Sequence, residues 1–337
     1  VIDRAIEHHS LQASISQMPE HQARNELLHE KAFELLVSQD PDVIQLFHKL
    51  EKIAAGDGCI FLKGERGTGR RFLAFASHNA SSRNEGPFID INVANHDAEG
   101  FAAELFGLAK GWAGAAEEQK GFLEQAHGGT LYLSNIDKLT QPVQHRLDRM
   151  IKSGEFYLEG TTEIRKANTR LIVSSTVDLS KDRYRDYFSR DLLYHLWSNL
   201  IVIPPLRDRA GDIRLFAEHF LKRVAKAAGK TITSIDPELI GFLESYEFPG
   251  NESELRDAIA TAVLRENGET LKVESLSRYV QDKIHTGVSA SSVFVLRKLD
   301  EVVRESVQET VRHLDGDIPR AALELDVSEG EVRGFVE

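Results

Sequence analysis

The residues Gly64-Glu65-Arg66-Gly67-Thr68-Gly69-Arg70-Arg71 have the types and spacing to cradle a phosphate. In loops of the pattern G-x-x-x-x-G-K-[ST], glycines let backbone N–H groups turn inward around the anion. The lysine then reaches the β- and γ-phosphates, and the following hydroxyl holds Mg²⁺. Here the glycine frame is kept, but Arg70 stands at the lysine position and Arg71 at the hydroxyl position. Arginine preserves the charge, yet its planar fork is not a compact ammonium. Two readings stay open at this point: a diphosphate resting on the backbone N–H groups and the next helix N-terminus, or a retained but empty turn. The candidate binding residues are Gly64, Gly67, Thr68, Gly69, Arg70 and Arg71.

The elements that must position such a loop are legible around it. Cys59-Ile60-Phe61-Leu62 reads as a buried strand running into the glycines, and a helix is expected from Arg70. Further strand candidates are Phe88 to Asn92, Thr130 to Leu133, Arg170 to Ser174 and Ile201 to Ile203, separated by helical periods. That alternation predicts a parallel sheet wrapped by helices, with ligand at the carboxyl ends of the strands. Over residues 211–285 the strand signals fade. Asp212 to Ala228 predicts a long amphipathic helix ended by Gly229. A second helix opens at Asp236-Pro237-Glu238, with Asp236 as N-cap and Pro237 at the first helical position, and a third runs from Glu252 to Leu264. Residues 286–292 have the composition of a flexible linker. A long helix is expected over Leu296 to Leu314, and two short helices follow with the outline of a helix-turn-helix.

The 337 residues allow two or three domains. No apolar run approaches the roughly 18 residues of a membrane span, and no signal peptide is apparent. The single cysteine, Cys59, excludes an internal disulfide and fits a reducing cytoplasm, with a small core residue as its simplest role. A net charge of -12 argues against a nucleic-acid-coating protein but leaves room for a small DNA-reading module. The 13 histidines show no metal spacing, and no Ser-His-Asp or Cys-His arrangement stands out. The chain begins at Val1 rather than Met, which fits a piece of a longer protein.

Five motifs then recur in one order: the glycine loop, Glu104-Leu105-Phe106-Gly107, Gly128-Gly129-Thr130-Leu131-Tyr132-Leu133, Pro204-Pro205-Leu206-Arg207-Asp208-Arg209 and Phe248-Pro249-Gly250-Asn251. With them the chain resembles the bacterial enhancer-binding proteins, AAA+ transcription activators of the NtrC type. The resemblance implies an α/β fold: an AAA+ parallel sheet with flanking helices over 38–210, a helical lid subdomain over 211–286, a linker over 287–294 and an all-α, Fis-like helix-turn-helix over 295–337. Residues 1–37 then stand where a connector to an N-terminal receiver or sensor domain would lie.

Members of that family hydrolyse ATP at subunit interfaces of a ring and remodel the σ54 form of RNA polymerase. Position by position, this chain departs from their pattern. The Asp-Glu pair that orients Mg²⁺ and activates water corresponds to Ser134 and Asn135, and Asn135 cannot act as a general base. Asp137, two residues on, is expected to point elsewhere. The sensor asparagine corresponds to Thr176, the trans-acting arginines to Ser189 and His195, with Arg190 adjacent, and the lid arginine to Ser253. The polymerase-contacting G-A-F-T-G-A segment aligns with Gly111-Trp112-Ala113-Gly114-Ala115-Ala116. There Trp112 either anchors a different partner or packs at the loop base.

The losses touch catalytic positions and spare those that shape the fold. The expected protein is therefore a DNA-binding regulator on an AAA+ domain deficient in ATP hydrolysis and σ54 remodelling. No catalytic residue or metal ligand is assigned. ATP or ADP without hydrolysis, or a cyclic dinucleotide, are the ligands left open. DNA is the expected partner, and a homodimer the expected assembly. Contact with RNA polymerase is left open, though not through a G-A-F-T-G-A loop. From Leu296 onward there are 11 Asp/Glu against 6 Lys/Arg, acidic for a DNA surface, with Arg320 and Arg333 as the candidate contacts. Two alternatives remain: a slow ATPase that remodels a partner, and a scaffold that pairs with homologues without DNA.

Overall fold

In the computed structural model, residues 38–277 are described, together with Gln281 and Ile318. The connector over 1–37, the linker over 287–294 and the helix-turn-helix with Arg320 and Arg333 lie outside the described residues. Apart from Ile318, the described residues belong to one compact unit, Val1–Gly287.

The chain enters helix α1 (Pro41–Ala54) through Asp40, whose carboxylate accepts from the N–H groups of Asp42 and Val43. Strand β1 (Ile60–Lys63) leads through the glycine loop into α2 (Arg70–Asn79). Then come β2 (Phe88–Asn92), α3 (Phe101–Phe106), α4 (Phe122–Gln125), β3 (Thr130–Ser134) and α5 (Gln141–Ser153). Strand β4 (Arg170–Ser175), α6 (Arg190–Trp197) and β5 (Leu200–Val202) complete the sheet. Its order is β2-β3-β4-β1-β5, and every pairing is parallel. Each strand ends within a residue or two of its sequence-based expectation.

Side-chain alternation along the strands feeds two cores. Phe61, Leu131, Leu133, Leu171 and Val173 pack against α3, α5 and α6. Ile60, Leu62, Tyr132, Ile172 and Ile201 pack against α1 and α2. The register sets Asn92 beside Ser134 and Ser134 beside Ser174, and Lys63 lies between Ser175 and Val202. The carboxyl ends of the strands therefore form one edge, which is where a sheet of this type receives ligands.

Cys59 precedes β1 as a partly buried residue, and desolvation pushes its thiol up to about 12. That suits the core role expected of it. Arg170 is the largest fully buried side chain, and its guanidinium reaches the carbonyls at the end of α1.

Helices α7 (Gly211–Ala228), α8 (Pro237–Glu244) and α9 (Asn251–Arg265) close on a third core of Phe216, Leu221, Leu239, Leu243, Phe248, Leu255 and Ile259. Asp236 caps α8 as its sequence predicts. This region is not free of strands, however. Ser234–Ile235 pairs in parallel with Thr270–Leu271, a two-residue ladder too short to leave any periodicity in the sequence.

Candidate functional site

The glycine loop keeps its cradle geometry. Gly67 and Gly69 adopt left-handed φ values of 83° and 84°, conformations that favour glycine. Thr68 is buried and donates its hydroxyl to the Glu65 carbonyl at 2.9 Å, so its side chain braces the turn. Gly69 is the N-cap of α2 and offers no side chain to the first-turn N–H groups. Such a helix N-terminus without a side-chain cap favours an anion.

The lid grips this loop. Asn251 is fully buried at φ 53° and donates from Nδ2 to the Arg66 carbonyl at 2.9 Å and to Glu65 at 3.2 Å. Its Oδ1 accepts from Leu206 N at 2.7 Å. Arg207 forms a fork on the Glu65 carboxylate at 2.7 and 2.9 Å, and this pairing holds that carboxyl below its ordinary range. A Cβ on Gly67 would collide with the Gly250 carbonyl, so backbone of core and lid touch directly.

The two arginines of the loop part company. Arg71 turns away from the loop and pairs with Asp90 on β2. Arg70 is half-buried. Desolvation lowers its pKa, and Tyr132 and Asp137 oppose that shift. Its Nη1 is buried with no hydrogen-bond partner among the described residues.

At the end of β3 no carboxylate stands at the two catalytic positions. The Ser134 hydroxyl donates to Ile91 O at 3.4 Å. Asn135 adopts φ 58°, a left-handed conformation that asparagine tolerates, and donates to Asn92 Oδ1 at 2.7 Å. Asp137 does not point elsewhere, contrary to the sequence-based expectation. It folds back to the sheet edge and accepts from the Ser175 hydroxyl at 3.1 Å, because the short 3₁₀ turn over 136–138 returns the chain toward β4. Ser189 caps α6 by accepting from Leu192 N. His195 lies 2.9 Å from Asp148, and Arg190 is exposed.

Between the loop and the lid lies a cavity of about 110 Å³. Phe47, Phe72, Phe216 and Phe220 give it apolar walls, while Gly69, Arg209, Glu252 and Ser253 meet at its polar side. Arg209 is buried and pairs with both Asp212 and Glu252. Asp212 is fully buried and also accepts from the Ser38 hydroxyl at 2.6 Å and Gln39 N at 2.8 Å. Burial pushes the Glu252 carboxyl up, Arg209 pulls it back, and Asp212 adds to the rise. Glu252 is inconspicuous in the sequence, since an acidic residue in the first turn of a helix is common. Its separation from Ser253 by a single position was the one available hint.

The segment Gly111 to Ala116 is a tight turn, with Gly111 N donating to Ala115 O and Ala115 N to Trp112 O. Trp112 is half exposed, and its indole lies on Gly160, where φ is 85°. It therefore packs at the loop base while keeping one edge in solvent. Gly160→Ala places a Cβ into that ring at a left-handed φ, costing about 1 kcal/mol from the backbone alone. In a Trp197→Phe background, the expected result is a red-shifted Trp112 emission and stronger quenching by acrylamide.

The site meets the requirements of ATP and Mg²⁺ only in part. The glycine backbone suits a phosphate, but Ser134 and Asn135 are engaged with neighbouring strand and side-chain groups, and a carboxylate sits against Gly69. The residues do not fit a metal-bound triphosphate.

A five-stranded parallel sheet, a glycine loop after β1 and a helical lid over that loop define the AAA+ class. Two family models match the chain in succession: the sigma-54 interaction domain over residues 36–202 and an AAA+ ATPase lid domain over 207–292. The AAA+ core and lid of this chain belong to the sigma-54 interaction family, of the NtrC type. It is 30% identical over 298 residues to the regulatory protein LuxO of Vibrio parahaemolyticus, covering 84% of this chain and 64% of that one. It is 31% identical over 299 residues to the regulatory protein AtoC of Escherichia coli, covering 87% and 65%. It thus spans just under two thirds of these relatives. The crystal structure of NtrX from Brucella abortus in complex with ADP superposes with a TM-score of 0.67 at 25% identity, covering 99% of this chain and 74% of that one. Among the described residues, no helix is long and apolar enough to cross a membrane.

Proposed function

We propose that this chain is a transcription regulator whose AAA+ domain serves as a structural and interaction module rather than a motor. The observation that carries this is the end of β3. Ser134 and Asn135 stand where metal-binding and water-activating carboxylates are required, and both are held in local hydrogen bonds. Without a general base and a metal-orienting acid, phosphoryl transfer to water loses its main positioning elements. Ser253, Ser189 and His195 at the arginine positions support the same reading, because an arginine finger contributes roughly 10³-fold or more. Replacement of the Phe-Thr pair by Ala113 and Gly114, with Trp112 beside them, supports a protein that acts without σ54 remodelling, as a repressor or with another polymerase form. DNA recognition is assigned to residues 295–337 with Arg320 and Arg333 as contacts, and a homodimer is the proposed assembly.

A hydrolysis assay at high protein concentration tests the reading. Phosphate release is expected to equal the protein-free rate and to be unchanged by Gly69→Asp. Turnover that Gly69→Asp abolishes would establish a working ATPase instead. A gel shift with the intact chain tests the DNA assignment: retardation lost on removing residues 295–337 is expected, and no retardation at low salt removes that part of the proposal.

A further inference from the structure

We propose that Glu252 is a selectivity residue, a fixed internal anion at the mouth of the glycine loop that excludes nucleoside phosphates from the cavity between loop and lid. Its carboxylate oxygens lie 3.3 and 3.7 Å from the position of a Cβ on Gly69, in van der Waals reach of the N-cap of α2. That N-cap is the end of the loop where a phosphate would meet the first N–H groups of the helix. The same carboxylate lines the cavity together with Gly67, Thr68 and Gly69.

The carboxylate is held there. Arg209 anchors it from below and is itself buried. The anchor does not cancel the charge, because Arg209 is shared with the fully buried Asp212. Two carboxylates on one guanidinium leave one carboxylate charge at Gly69 that Arg209 does not neutralise. Arg223 and Arg256 also line the cavity from the lid; Arg256 is already paired with Asp257, which leaves Arg223 as the counter-charge on the lid side of the lining. A diphosphate entering the loop would meet a like charge in a partly desolvated setting, where repulsion is screened far less than in water. The apolar walls, by contrast, carry no charge that would repel an uncharged aromatic ligand.

This goes beyond the loss of hydrolysis and can fail separately from it. The experiment is calorimetric titration of the intact chain with ADP and, separately, with adenosine. The wild-type chain is expected to bind ADP no more tightly than adenosine. Glu252→Gln, which keeps the shape and a hydrogen bond to Arg209, and Glu252→Val, which removes both, are expected to raise ADP affinity by about tenfold or more. Adenosine affinity should stay within about threefold in both. Wild-type preference for ADP of tenfold or more overturns the proposal while leaving the hydrolysis reading intact. Folded variants, checked by circular dichroism, whose ADP binding is unchanged also overturn it. If neither variant folds, the wild-type comparison of ADP with adenosine decides alone.

Discussion

Arg170→Ala is expected to lower the unfolding free energy by about 4 kcal/mol, from the combined loss of buried hydrogen bonds and packing. Arg170 opens β4 and is 1% exposed, yet among the described residues no carboxylate forms an ion pair with it. Its Nη1 donates to Ala54 O at 2.6 Å, Nη2 to Ile53 O at 2.8 Å and Nε to Gly58 O at 3.4 Å. Two of those carbonyls end α1, where backbone acceptors lack intrahelical donors and the helix dipole favours a cation. Desolvation lowers the pKa of Arg170, with Asp57 opposing. The burial cost is therefore offset by carbonyl contacts rather than by charge pairing. Alanine leaves a cavity and takes the side-chain donors from Ala54 O and Gly58 O, while Ile53 O keeps Gly56 N. Arg170→Met fills most of the volume and still lacks those donors, so it should cost about half as much. Urea denaturation checks both values. In thermal melts the alanine variant should fall by about 10 °C. A loss below about 1 kcal/mol would mean that solvent replaces the guanidinium.

The fold is largely legible in the sequence, and the reason lies in particular strands. Ile60-Phe61-Leu62 and Leu131-Tyr132-Leu133 are buried on both faces, so their continuous apolar runs survive as a local signal. Asp236-Pro237 announces α8 because capping is a contact between near neighbours in the chain. The site was legible only at its frame. Gly67 and Gly69 must be glycine for local reasons, whereas the partners of Arg71, Asp137 and Glu252 depend on segments 19, 38 and 43 residues away. Charge at those positions is visible in the sequence, but its direction is not. Asp137 illustrates the difference: its place two residues beyond Asn135 suggests a direction away from the site, and a single 3₁₀ turn brings it back.

The same distinction predicts where loop and lid can be uncoupled. Asn251→Leu should cost about 3 kcal/mol, because it strands buried donors and acceptors and forces a branched side chain into a left-handed backbone. Asn251 alone joins Leu206 N, the Arg66 carbonyl and Glu65, so it ties the lid entry, the glycine loop and the start of α9 together. Asn251→Gly separates the two contributions. Glycine accepts φ 53° without strain, so any cost it retains measures the lost side-chain bonds. Arg207 on Glu65 is the remaining ionic link in this group, and both partners are over a third exposed, so it cannot compensate strongly. In the leucine variant the lid should open while the sheet stays folded. Limited proteolysis should then cut between Leu206 and Gly250 at a rate raised by roughly a hundredfold, in line with the lost coupling energy, while the α1 to β5 segment stays protected. If leucine and glycine variants are cut at the wild-type rate, the grip of the lid on the loop lies in the backbone contact between Gly67 and Gly250 and not in Asn251.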